Sequence, residues 1–153
     1  MVFFSNSNID TKEEFDKRLA ELERYCDSLG VKLVVDEYDH DAWLAAVSGL
    51  ENAPERGPRC LQCFKYRLTR AARYAAENGF EILTTSLASS RWKSLEQVDE
   101  AGTAAVAGTE VEWWPRNWRK GGLQPRRDEI IKEQGFYNQN WCGCEFSHRE
   151  SSI

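Results

Sequence analysis

The residues in this chain with the clearest capacity for chemistry are two close pairs of cysteine. Cys60 and Cys63 lie three apart in "RGPRCLQCFKYRL" (56–68), and Cys142 and Cys144 flank a single glycine in "WCGC" (141–144). A Cys-x-x-Cys turn brings both sulfurs to one side of the chain, so two thiolates can reach one centre. Zinc, iron–sulfur clusters and redox dithiols all use that arrangement. A helix start and Arg59 beside the pair favour the thiolate forms. The thioredoxin reading is weak, because a long polar loop, "ENAPERGP" (51–58), precedes the motif where a strand would be expected. Cys142 and Cys144 can close only a small strained ring, with Gly143 supplying backbone freedom. Strained disulfides tend to be labile and catalytic, which suggests a redox pair; two thiolates on a metal is the other reading. The fifth cysteine, Cys26, falls on the apolar stripe of a helix and reads as a small buried thiol.

Composition narrows the setting. A chain of 153 residues fits one domain with a real core, and its apolar, charged and aromatic fractions are those of a soluble globular protein. No apolar run approaches the roughly 20 residues that span a bilayer, and "MVFFSNSNID" has neither the charged nor the apolar region of a signal peptide. A reducing cytoplasmic setting and no membrane contact are therefore expected. An odd number of cysteines also argues against a structural disulfide framework. The net charge of −5 does not advertise nucleic-acid binding, yet residues 116–127, "RNWRKGGLQPRR", hold Arg116, Arg119, Lys120, Arg126 and Arg127 and no acid. Lys65, Arg67, Arg70 and Arg73 form a second basic run. Such patches contact phosphates or simply form a solvated face.

The elements that must position these residues alternate between strand and helix. "VFFS" (2–5), "VKLVV" (31–35), "FEILTTSL" (80–87) and "VEWWP" (111–115) read as strands. "TKEE" (11–14) has the form of a capping box and opens a helix that Gly30 closes. Further helices are expected from Asp39, over Leu61–Asn78, over about 94–107, and from near Pro125 to Gly135. The order predicts an α/β fold: a mostly parallel, Rossmann-like sheet with helices on both faces and a site beyond the carboxyl ends of its strands. "SNSNI" and "SLASSRWKS" would border that site, and no phosphate-loop or dinucleotide fingerprint is present.

"FFSNSNI" (3–9), "RCLQCFKYRL", "ILTTSLASS", "KGG" (120–122) and "GFYNQNWCGCEFS" (135–147) together resemble the QueH family of epoxyqueuosine reductases over nearly the whole chain. The resemblance implies a cobalamin-independent oxidoreductase that removes the epoxide oxygen of epoxyqueuosine in transfer RNA, the last step of queuosine biosynthesis. It implies a [4Fe-4S] cluster with Cys60 and Cys63 as two of its four ligands, Cys142 and Cys144 as a redox-active pair, and an external electron donor. The family usually begins with a further strand, an adjacent Cys-Cys pair and a helix. This sequence starts after them, so a single domain over 1–153, incomplete at its amino end and carrying half the cluster ligands, is expected. Two readings compete: a zinc-stabilised RNA-binding module using the four paired cysteines, and an inactive truncated paralogue. "SSRWKS" (89–94) departs from the family pattern, and no role is assigned to Ser90, Arg91 or Lys93. His40 and His148 show no partner at any recognisable spacing.

Overall fold

The protein is described by a computed structural model over residues 1–147; His148 lies outside the described residues. Those residues divide into two compact units. One comprises residues 1–52 with the segment from Phe136 onward, and the other Ala53–Gly135.

In the first unit, β1 (Val2–Phe4) and β2 (Leu33–Val35) pair in parallel, with Val2 opposite Leu33 and Phe4 opposite Val35. Parallel pairing requires a crossover, and α1 (Lys12–Leu29) provides it. Thr11 caps α1 as "TKEE" predicts, its hydroxyl accepting from the Glu14 amide at 3.2 Å. The reciprocal half of the capping box is absent, because the Thr11 amide donates to Asp10 at 3.0 Å. The Glu14 carboxylate turns instead toward Arg18 and Tyr137. Gly30 ends α1 in the left-handed conformation (φ 64°) that glycine adopts without a Cβ penalty. The core gathers Phe4, Ile9 and Phe15 against Leu19, Leu22, Leu33 and Tyr38. The Phe4 and Phe15 rings meet edge-on at 5.2 Å. Cys26 is buried on α1, and desolvation pushes its thiol pKa up, with the neighbouring Asp27 adding to the shift. A short helix, α2 (His40–Ala46), is capped by Asp39 and buries Trp43 completely.

In the second unit, α3 (Pro58–Glu77) packs Phe64, Leu68 and Ala72 against Val98, Ala101 and Ala105 of α4 (Leu95–Val106). The helix α3 begins three residues before the expected Leu61. Pro58 occupies its first position, where the fixed φ and the missing N–H cost nothing. Cys60 and Cys63 therefore both lie in the opening turns of a helix. Ser94 caps α4, its hydroxyl accepting from Gln97 at 3.3 Å. Strands β3 (Ile82–Leu83) and β4 (Glu112–Trp113) pair in parallel, with α4 between them in the chain. "FEILTTSL" is extended for less of its length than expected. Thr85 turns its hydroxyl onto the Leu87 amide at 3.2 Å and the chain enters a 3₁₀ turn over Ser86–Ser89. Gly102 has no room for a side chain, since a Cβ there would stand 2.1 Å from the Trp113 ring. The last helix, α5 (Leu123–Gln134), starts after Gly122 with no side-chain cap and closes at Gly135 (φ 60°). The α/β class and parallel pairing agree with the sequence. The described strands form two pairs, β1–β2 and β3–β4.

Candidate functional site

The terminal cysteine pair sits on a turn that the first unit holds from several sides. Arg18 on α1 is the main support. Its Nη1 donates to the Cys142 carbonyl at 2.8 Å and its Nη2 to the Trp141 carbonyl at 3.1 Å. Its Nε pairs with Glu14 at 2.8 Å, and both side chains are almost wholly buried. The loop after β1 supplies the rest. The Asp10 amide donates to the Gly143 carbonyl at 2.7 Å, and buried Asn8 offers its amide nitrogen to the Cys142 carbonyl at 3.5 Å. The Asn8 amide oxygen is buried with no hydrogen-bond partner. Thr11 holds φ 69° beside this contact, a strained conformation for a β-branched residue.

This clamp fixes the geometry of the two sulfurs. Cys142 Sγ and Cys144 Sγ stand 3.4 Å apart, and no disulfide joins any of the five cysteines, all of which lie among the described residues. The Cys144 thiol is buried and donates to the Ser147 hydroxyl at 3.2 Å, while the Cys144 amide points at Cys142 Sγ at 3.5 Å. A dithiol at this separation can close to a disulfide with a small movement. Gly143 is required for two reasons. Its φ of 115° disfavours any side chain, and a Cβ would meet Ile9 at 2.8 Å and Arg18 at 3.0 Å.

His40, which shows no partner in the sequence, stands beside this turn. Its Nδ1 is 2.8 Å from the Ser7 carbonyl and its Nε2 is 3.0 Å from Glu145 Oε1. The ring stacks on Trp43 at 5.5 Å, and Trp43 in turn stacks on Phe146 at 6.2 Å. Nearby, the Tyr38 hydroxyl donates to the Ile9 carbonyl at 2.7 Å. Burial raises the Tyr38 pKa, and the negative charges of Asp10, Glu145, Asp16 and Asp41 push it further.

The other pair belongs to the second unit. Cys60 is half-buried and Cys63 buried, and the Arg56 amide donates to Cys60 Sγ at 3.3 Å. Arg59 is 2% exposed and donates to the Ala53 carbonyl, so its charge is held within the fold beside the pair. Gln97 secures the approach to the motif by donating to the Arg56 and Gly57 carbonyls at 2.8 and 3.1 Å. The basic stretch is less uniform than its composition implies. Arg126 pairs with Glu129 and Glu133, and Arg127 with Asp128. The Arg116 guanidinium lies 3.7 Å from the Trp114 ring centroid. Arg119 and Lys120 precede the uncapped start of α5, and the Arg119 Nε is buried without a hydrogen-bond partner.

Fold and site together define an α/β protein with one cysteine pair at a helix start and a second on a clamped turn. The family model described as Epoxyqueuosine reductase QueH matches residues 1–150. The chain is 40% identical over 152 residues to Epoxyqueuosine reductase QueH of Acinetobacter baylyi, covering 99% of this chain and 70% of that protein. It is 40% identical to the protein of the same name from Histophilus somni over 99% of this chain and 63% of the relative. Against that of Thermotoga maritima the identity is 31%, over 95% of this chain and 77% of the relative. This chain thus belongs to the epoxyqueuosine reductase QueH family, and it spans 62% to 70% of the length of the first three curated relatives.

The clamp makes a definite prediction. Arg18→Met keeps the aliphatic stem but removes the hydrogen bonds to the Trp141 and Cys142 carbonyls and the ion pair with Glu14, at an expected cost of about 2–3 kcal/mol. Thermal melts should show the loss, and alkylation of Cys142 should become faster; an unchanged melt with unchanged alkylation would mean that Arg18 does not hold the turn.

Proposed function

We propose that this chain acts as an epoxyqueuosine reductase on transfer RNA, converting the epoxide of epoxyqueuosine to the cyclopentene of queuosine. One observation carries the reading: two thiols, 3.4 Å apart, on a turn that Arg18 and the loop after β1 hold rigid. Removing an epoxide oxygen as water consumes two electrons and two protons. Oxidation of the Cys142–Cys144 dithiol to a disulfide releases the same two electrons and two protons, so the exchange balances. An external donor then returns the pair to the dithiol, in keeping with a reducing, cytoplasmic setting. The Cys144 thiol is held by its hydrogen bond to the Ser147 hydroxyl, and Trp141 offers a face on which a base can stack.

The residues around Cys60 and Cys63 fit a [4Fe-4S] cluster as far as their donor set goes. Two thiols lie three residues apart at a helix start, and the Arg56 amide aims a hydrogen bond at the Cys60 sulfur. Such bonds and the positive helix end stabilise charge on ligand sulfur. Cys60 and Cys63 would each hold one iron, and the bound cluster would supply one-electron redox capacity. Its two remaining ligand positions need donors other than these, because the second unit contains no further cysteine.

Variants separate the two roles. Anaerobically reconstituted Cys60→Ser and Cys63→Ser proteins are expected to lose bound iron and sulfide. Cys142→Ser and Cys144→Ser should keep whatever cluster the parent chain holds while queuosine formation in transfer RNA is lost. Loss of iron in the second pair of variants would make Cys142 and Cys144 metal ligands, and full activity would make them bystanders.

For the RNA contact, the same reading assigns Arg116, Arg119, Lys120, Arg126 and Arg127 to the phosphate backbone. Arg119 and Lys120 are the best placed, because Arg126 and Arg127 already pair with acids on α5. Phosphate contacts release counterions, so binding should weaken as salt is added. Replacing Arg119 and Lys120 together by alanine is expected to lower affinity for transfer RNA and flatten the salt dependence. An unaltered slope would return this stretch to an ordinary solvated face.

A further inference from the structure

The strongest feature not used by the reductase reading is the group formed by Asp10, His40 and Glu145. One ligand atom from each lies within 4.8 Å of the others, and this is the one such group of three among the described residues. The three come from distant parts of the sequence: the loop after β1, the first position of α2 and the 3₁₀ turn over Glu145–Ser147. The imidazole is oriented from outside the group. The Ser7 carbonyl can only accept, so the ring nitrogen facing it at 2.8 Å, Nδ1, carries a proton. In the neutral ring the lone pair is then at Nε2, and it faces Glu145 Oε1 at 3.0 Å. Stacking on the fully buried Trp43 holds the ring in that plane.

Two electron-rich atoms at 3.0 Å repel unless a positive charge lies between them. A backbone carbonyl fixing one imidazole nitrogen while the other faces outward is the usual support of a metal-ligating histidine. We propose that Asp10, His40 and Glu145 bind one divalent cation in the manganese–iron–zinc class. Nitrogen with carboxylate oxygen suits that class, and three protein ligands leave further positions for water. Of the nearby cations, Lys12, 5.8 Å from the Tyr38 ring, is paired with Asp16, and Arg18 with Glu14. Glu145 is 37% exposed, so its carboxylate is free to close onto an ion from solvent. The inference uses first-unit residues alone and does not depend on the reductase reading.

Manganese is the suitable probe, because it favours oxygen and nitrogen donors over thiols. Titration of the 153-residue chain with Mn²⁺, read by loss of the free-ion electron paramagnetic resonance signal, should show one saturable site. His40→Gln, Glu145→Gln and Asp10→Asn are each expected to weaken it by at least about tenfold. A Cys60→Ser, Cys63→Ser double variant should leave it unchanged. In the unmodified protein, Mn²⁺ should also broaden the His40 imidazole resonances, a readout that needs no variant to fold. Absence of saturable binding, or binding that survives both Glu145→Gln and His40→Gln without broadening of His40, would overturn the proposal and leave a second ring proton as the charge between Nε2 and Glu145.

Discussion

The first unit depends on one buried cation. Arg18 gathers the carbonyls of Trp141 and Cys142 while its own charge is balanced by Glu14, four residues earlier on the same helix. A guanidinium suits this task because its donors form a fixed planar fork, which a lysine cannot reproduce. The pair closes a loop of more than a hundred residues, since Arg18 and Cys142 are 124 positions apart. Without it, the cysteine turn itself would lose its two side-chain hydrogen bonds to α1, leaving the contacts of Tyr137 with Glu14 and Glu21 to hold the segment there. Glu14 extends the same network to the Tyr137 hydroxyl at 3.4 Å, so the approach to the cysteine turn is fixed as well as the turn.

That constraint explains why glycine stands between the terminal cysteines. The clamp draws the turn close to Ile9 and Arg18 and leaves no volume for a side chain at Gly143. The backbone must also adopt a positive φ for both sulfurs to face one another. Rigid support from one helix and one loop therefore sets the sulfur separation. Pre-organisation of this kind lowers the cost of closing and reopening a small ring.

Local rules carried much of the fold in the sequence. Thr11, Gly30 and Gly135 mark helix ends where the structure has them, because each acts on neighbours within one turn. The strands were harder to delimit. Thr85 satisfies a backbone amide with its own hydroxyl, so a run with strand composition becomes a 3₁₀ turn. Pro58 starts α3 earlier than the apolar periodicity suggests. The cysteine pairs were visible because their spacing is itself the signal. The contacts of Arg18 with the Trp141 carbonyl and of His40 with Glu145 were not, because these partners lie 123 and 105 residues away. Nothing in a spacing pattern can report such contacts. The basic stretch shows the opposite limit: its composition is plain, yet Arg126 and Arg127 are already committed to acids on their own helix.

The central claim is that Cys142 and Cys144 deliver the electron pair to the epoxide. It is tested most directly by a single turnover with no external donor. The pre-reduced protein is mixed anaerobically with transfer RNA carrying epoxyqueuosine, quenched with an alkylating reagent, and analysed by mass spectrometry for each cysteine. The account predicts that Cys142 and Cys144 become protected from alkylation as a disulfide, in step with the queuosine formed, while Cys26 stays reduced. Queuosine formation with both thiols still fully alkylated would contradict it.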